Sequence, residues 1–173
     1  MSLREFAEAL PDYAKDIRLN LNSLASDQTL GDQRKYGLLL TTAHGSGYRP
    51  LVEAAEAECA PKLSAEAANA ARAAAAIMAM NNVYYRFTHL ATNKEYATLP
   101  AKLRMNVIGN PGIDKADFEL FSLAVSAQNG CGTCIDSHEK VLKSHGIAAD
   151  VIQAAARIGS VMTAAATVHA TRV

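Results

Sequence analysis

One stretch limits what this chain can fold into more than any other: the alanine-rich run that Ser64 opens and that continues through Met78 to about Leu90. It holds neither Gly nor Pro, and alanine is the strongest helix former. Ser64 is a suitable N-cap, its hydroxyl able to accept a first-turn N–H. The small side chains allow neighbouring helices to approach closely, so the run is expected to be the central core helix. Elsewhere apolar residues recur at intervals of three and four, and no segment alternates with the period of a strand. Half of the 173 residues are hydrophobic and Trp is absent. The expectation is an all-α chain, folded as a single helical domain over residues 1–173.

In chain order, Leu10, Tyr13, Ile17, Leu21 and Leu24 mark an amphipathic helix over 3–25, interrupted at Pro11. Gly31-Asp32 opens a second helix, which ends before Gly45-Ser46-Gly47. His44 near that end is expected to act as a helix-end cation. A short helix from Pro50 carries Cys59, an inert buried thiol by its lack of Cys or His neighbours in sequence. Arg72, Arg86 and His89 face solvent or another subunit. Asn81, Asn82, Tyr84 and Tyr85 interrupt an apolar pattern, either as structural hydrogen-bonders or as pocket lining. A helical piece is expected at 99–108, followed by a break at Gly109–Gly112. Asp114 then starts a helix with a core stripe of Phe118, Phe121 and Val125, and with Asp117 in a capping-box-like position. Glu119, Ser122 and Ser126 lie on a second, polar face. A last helix runs from about Ala149 to Thr171.

Charge excludes some roles. There are 17 basic and 17 acidic residues, spread along the chain with no basic cluster. Nothing therefore points to nucleic acid or an anionic membrane. The longest apolar stretch, Ala73–Met80, is far short of a bilayer span. The N-terminus lacks a signal-peptide pattern, which suggests a cytoplasmic protein.

The chemistry is concentrated at Gly130–His138. Asn129-Gly130 ends one helix and lets another begin. Cys131 and Cys134 are one turn apart on that new helix, at a Cα separation that a disulfide tolerates (~4.4–6.8 Å). His138 shares their face, at i+4 from Cys134. Thiols in a helix's first turn meet unpaired N–H groups and the positive dipole end, which favours thiolate. The inner face is completed by His145, near the stop at Gly146. If this helix folds back antiparallel, Glu119, eleven residues before Gly130, and His138, eight after, come within about one turn of the same level at ~1.5 Å per residue. Glu119 is then either part of a carboxylate–imidazole–thiol relay or a solvated acid near its helix start. The dipole favours Cys131 as the nucleophile, and His138 favours Cys134.

Other Cys-x-x-Cys chemistries fit less well. Ile135 stands where a c-type haem motif needs His, and a thioredoxin core needs strands. A zinc site on Cys131, Cys134 and His138 would need Cys59 or His145 as its fourth ligand.

The run LRMNVIGNPGI (Leu103–Ile113), then Phe118-Glu119-Leu120 and Cys131-x-x-Cys134-x-x-x-His138, resembles the alkyl hydroperoxidase D family of the carboxymuconolactone decarboxylase-like superfamily. The likeness extends to Leu10–Asp16 and to Ala75–Arg86, nearly the whole chain. It implies an all-α homotrimer whose two-helix Cys-x-x-Cys hairpin reduces organic hydroperoxides. Cys134 matches the thiol that becomes a sulfenic acid, and Cys131 the proton donor that then closes a Cys131–Cys134 disulfide. Glu119 and His138 match the proton relay. No cofactor is held tightly. The external reductant is the dihydrolipoyl group on the lipoylated acyltransferase component of a 2-oxo-acid dehydrogenase. The peroxiredoxin component of alkyl hydroperoxide reductase (AhpC) is a further partner. Thr133 stands where some members carry His. The alternatives are a general thiol–disulfide exchange protein on the same scaffold, with little peroxidase turnover, or a structural zinc protein.

Overall fold

The computed structural model describes residues 1–172, and no strand occurs among them. The chain begins with α1 (Leu3–Glu8), closed by a capping box in which Ser2 and Glu5 exchange hydrogen bonds of 3.1 and 2.7 Å. Pro11 breaks the chain as expected. A 3₁₀ turn at Asp12–Ala14 leads into α2 (Lys15–Ser26). The break also resets the helical phase, so Tyr13 leaves the expected stripe and is exposed, while Leu10, Leu21 and Leu24 are buried.

The next helix, α3 (Asp32–Ser46), runs two residues past its expected end. Gly45 and Ser46 stay helical, and Gly47 stops the helix with a left-handed φ of 66°. It is followed by α4 (Arg49–Cys59), with Pro50 in its first turn, and by α5 (Ala65–Leu90). Ser64 Oγ accepts from Ala67 N–H at 3.1 Å, so the expected cap is present.

Residues 99–105 are not helical; only Asn106–Gly109 form a single turn, α6. Pro100 disfavours helical geometry at Leu99, and Lys102 is left-handed at φ 53°. The chain closes with α7 (Lys115–Gln128), α8 (Gly132–Ser144) and α9 (Ala149–Thr171). The N-cap of α7 is Asp114, as expected, but no capping box forms. Asp117 instead turns to Arg34 Nε and Gln33 Nε2, each at 2.6 Å.

The centre of the fold is α7 and not α5. Every residue from Ala116 to Ser126 is buried, and α3, α5, α8 and α9 all pack against this helix. By contrast α5 buries one side, with Ala67, Ala71, Ala74, Met78 and Asn82 on it, and leaves Val83, Phe87 and Leu90 exposed. Close approach to α7 comes from glycine. A Cβ on Gly37 of α3 would sit 2.1 Å from Phe121 Cζ, and one on Gly159 of α9 would sit 3.0 Å from the Ala124 carbonyl oxygen. The 23-residue α9, with an 18-residue window of mean hydropathy 1.3, is long and apolar enough by length and composition to cross a membrane, unlike the shorter stretch singled out from the sequence. Here Ile152, Ile158, Met162 and Ala165 of α9 lie in the hydrophobic core.

His44 is not a helix-end cap. Its Nε2 lies 2.7 Å from Glu56 Oε1 on α4, and Arg72 of α5 grips the same carboxylate at 2.8 and 2.6 Å. The bidentate Arg72 contact, helped by His44, holds the Glu56 carboxyl down at about 2 against partial burial. A depressed acid stabilises the fold above its ordinary value of 4.5, and that contribution disappears as pH falls towards 2. Allowing for screening of a carboxylate 29 % exposed, the expected size is about 1–2 kcal/mol. Glu56→Gln is therefore expected to lower Tm at pH 7 and to match the parent near pH 2, read by circular dichroism melts across pH. Parallel curves would remove this role.

Candidate active site

The site is built at the reversal between α7 and α8. Asn129 ends α7, and Gly130 takes a left-handed φ of 64° that strains any residue with a Cβ. Cys131 N–H then donates back to the Ser126 carbonyl at 3.0 Å, and Arg86 of α5 donates to the Asn129 carbonyl. Cys131 is the N-cap of α8 and lies just outside the helix, not on it; Cys134 is in the first turn. The pair still meets, with Cα atoms 5.3 Å apart and the sulfurs joined in a disulfide.

Returning antiparallel to α7, α8 brings His138 Nδ1 to 2.6 Å from Glu119 Oε2, both side chains buried. Glu119 is thus a partner of the imidazole and not a solvated acid. A carboxylate can only accept, so Nδ1 carries the hydrogen and Nε2 faces the other way. That second nitrogen lies 3.3 Å from Met78 Sδ on α5. Ser126 Oγ also donates to Met78 Sδ, at 3.5 Å, and receives Asn82 Nδ2 at 2.9 Å. Asn129 Nδ2 closes the network on Asn82 Oδ1, at 2.9 Å. Of the polar face read on α7, Glu119 and Ser126 have these partners, while the buried Ser122 hydroxyl has none.

Lys115, four residues before Glu119, places Nζ 2.6 Å from Glu119 Oε1 and 2.6 Å from the Ile108 carbonyl oxygen. Burial pushes the Glu119 carboxyl up; hydrogen bonds from His138 and Lys115 outweigh it and hold the group below its ordinary value.

A pocket of about 550 Å³ opens onto this group. Met78, Tyr85, Met105, Ile108 and Val141 supply an apolar lining, and Asn81 and Thr133 border it. Cys134, His138 and Glu119 reach it, whereas Cys131 is fully buried and does not. Of the two cysteines, only Cys134 lines the pocket. Asn82 is structural, while Asn81 and Tyr85 line the pocket.

Other sequence candidates lie apart. His145 is exposed at the end of α8, so the inner face is completed by Leu142 instead. Cys59 is fully buried on α4, and burial pushes its thiol up to about 12, which leaves it unreactive. The fourth ligand a zinc site would need is therefore not near the pair. Among the described residues no three His, Cys, Asp or Glu side chains are grouped as metal ligands. The sequence reading missed Lys115 and Met78. For Lys115 the i,i+4 spacing to Glu119 was an available signal; for Met78, on a different helix, there was none.

Fold and site together define a class: an all-α protein that carries a dithiol–disulfide pair at a helix start, beside a buried imidazole–carboxylate couple. Comparison with known proteins makes this specific. The profile of the carboxymuconolactone decarboxylase family matches residues 94–173, which include the hairpin. Alkyl hydroperoxide reductase AhpD of Rhizorhabdus wittichii is 79% identical over 173 residues, 100% of both chains. The protein of that name from Rhodopseudomonas palustris is 62% identical over 96% of this chain and 92% of its own. That of Hyphomonas neptunium is 60% identical over 98% and 94%. The chain belongs to the alkyl hydroperoxide reductase AhpD family, within the carboxymuconolactone decarboxylase-like superfamily.

Proposed function

We propose that this chain is a thiol-dependent alkyl hydroperoxide reductase, an antioxidant enzyme that works through the Cys131–Cys134 pair. One observation carries the reading: Cys134 opens to an apolar pocket beside the His138–Glu119 couple, with a second thiol bonded to it from behind. In the reduced protein the Cys134 thiolate attacks the terminal oxygen of the hydroperoxide. The O–O bond breaks, the alkoxide takes a proton from Cys131 and leaves as alcohol, and Cys134 becomes a sulfenic acid. The Cys131 thiolate then attacks the Cys134 sulfur, and the displaced hydroxide leaves as water with a proton passed through His138, which Glu119 orients.

Two electrons and two protons must return. A dihydrolipoyl group supplies both, becoming a cyclic disulfide as it reopens the protein's own. It acts as a co-substrate and not as a bound cofactor, and the apolar pocket suits its aliphatic chain. The partners that follow are a lipoylated acyltransferase component of a 2-oxo-acid dehydrogenase and the peroxiredoxin component of alkyl hydroperoxide reductase, AhpC. A cytoplasmic homotrimer completes the proposal.

The test is consumption of an organic hydroperoxide by the purified protein with dihydrolipoamide as reductant, with mass spectrometry of the oxidised product. Turnover is expected, with Cys131 and Cys134 joined and Cys59 free. Reduction of the disulfide by dihydrolipoamide without hydroperoxide consumption would leave a thiol–disulfide exchange protein in its place.

A further inference from the structure

The carboxylate of Glu119 is buried and carries a hydrogen bond from His138 on one oxygen. A buried negative charge needs a cation nearby, or it takes up a proton instead. His138 bonds only one of the two carboxylate oxygens, which leaves the other to be satisfied. The second oxygen is occupied by the Lys115 ammonium at 2.6 Å. The same ammonium reaches the Ile108 carbonyl at the end of α6. Ile108 and Met105 form one wall of the pocket, and Tyr85 hydroxyl contacts Met105 Sδ at 3.8 Å from the facing side.

We propose that Lys115 is a positioning residue of this site: bonded to both Glu119 and the Ile108 carbonyl, its ammonium keeps the carboxylate charged and turned to His138, and fastens the Met105–Ile108 wall. With Lys115 as its counterion, Glu119 stays ionised and keeps its other oxygen for His138. The groups facing Glu119 across the pocket are His138 and Cys134 of α8 and Tyr85 of α5; the α6 wall contributes no titratable side chain there. No other lysine or arginine lines the pocket among the described residues. The kinetic part of this proposal rests on the peroxidase reading; the thiol-reactivity part does not.

Three proteins decide it: the parent, Lys115→Met and Lys115→Arg. In the reduced proteins, the rate of Cys134 alkylation by iodoacetamide is followed against pH by peptide mass spectrometry. Without the cation, Glu119 holds its proton to higher pH and no longer orients His138 as a base towards the Cys134 thiol. Lys115→Met is expected to shift the profile upward by at least about half a unit, slowing alkylation at pH 6.5 about 3–10-fold. Lys115→Arg, which keeps the charge, is expected to stay close to the parent. In turnover, Lys115→Met should lose kcat/KM about 10-fold at pH 6 and much less at pH 8.5, with KM raised by the loosened wall. Coincident alkylation profiles for parent and Lys115→Met would overturn the proposal. So would equal shifts in the Met and Arg variants, because charge would then not be the agent. Should Lys115→Met fail to fold, Lys115→Gln carries the same comparison. If the parent itself consumes no hydroperoxide, the alkylation profiles still decide.

Discussion

Serine at position 134 is expected to abolish hydroperoxide turnover, a loss of about 10³-fold or more, while serine at 131 leaves one oxidation event intact. The asymmetry follows from access. Cys134 lines the pocket, and Cys131 is sealed behind it with no exposure. In the proposed reaction a hydroperoxide would therefore meet one sulfur only, and a serine hydroxyl is not acidic enough to replace its thiolate. In Cys131→Ser the first step keeps its nucleophile and the His138–Glu119 couple but loses the thiol that protonates the alkoxide, so it is expected to be slowed and not abolished. About one equivalent of hydroperoxide per chain should be consumed, leaving a sulfenic acid at Cys134 that dimedone labels. With no second thiol to condense, further peroxide drives that sulfur on to the sulfinic acid. Measuring consumption and dimedone adducts in both variants tests this directly. A single burst in Cys134→Ser and none in Cys131→Ser would reverse the two roles.

Much of this arrangement was legible because it depends on spacing within one hairpin. Helical rise alone brings Glu119 and His138 to nearly the same level on either side of Gly130, and their side chains do meet. The bounds of α5 were equally readable: Ser64 has a side chain suited to capping, and no Gly or Pro interrupts the run. Local rules were overridden where a side chain found a tertiary partner. Asp117 turned from the capping box to Arg34 and Gln33, and His44, in the last turn of α3 as expected, bonds Glu56 on another helix. A charged group follows the strongest partner within reach, and sequence spacing does not report partners on other helices.

The ranking of the helices was misread for a related reason. Alanine content suggested that α5 was central, yet alanine buries little area, and half of α5 faces outward. Glu119, Ser122 and Ser126 gave α7 the look of a two-faced helix, although that polar face is enclosed by α5 and α8. Access is the property sequence reports least: Cys131 and Cys134 share a motif, and only the packing around them separates buried from open.

Because α7 carries Glu119 and is enclosed on every side, the site inherits the tolerances of that packing. Gly37→Ala is expected to be the most damaging single-methyl change in the chain. The added Cβ would lie 2.1, 2.6 and 2.9 Å from three atoms of the Phe121 ring, which is fully buried. The ring has no solvent to swing into, so α3 and α7 must separate. Overpacking of this kind costs about 3 kcal/mol at the upper end of the usual range. At about 2–4 °C per kcal/mol for a chain of this size, Tm should fall by about 6–12 °C. Gly109→Ala is the control, since nothing lies within 4 Å of its would-be Cβ. Phe121→Leu in the Gly37→Ala background should recover part of the loss, giving a coupling of at least about 1 kcal/mol in a double-mutant cycle. Strict additivity would mean that the two residues do not compete for the same space. The same displacement moves Glu119, two residues before Phe121, relative to His138. A shift near 1 Å in a proton-relay contact costs up to about 10²-fold in rate. Gly37→Ala is therefore expected to lose turnover at temperatures where it is still fully folded, and Phe121→Leu to restore activity and Tm together.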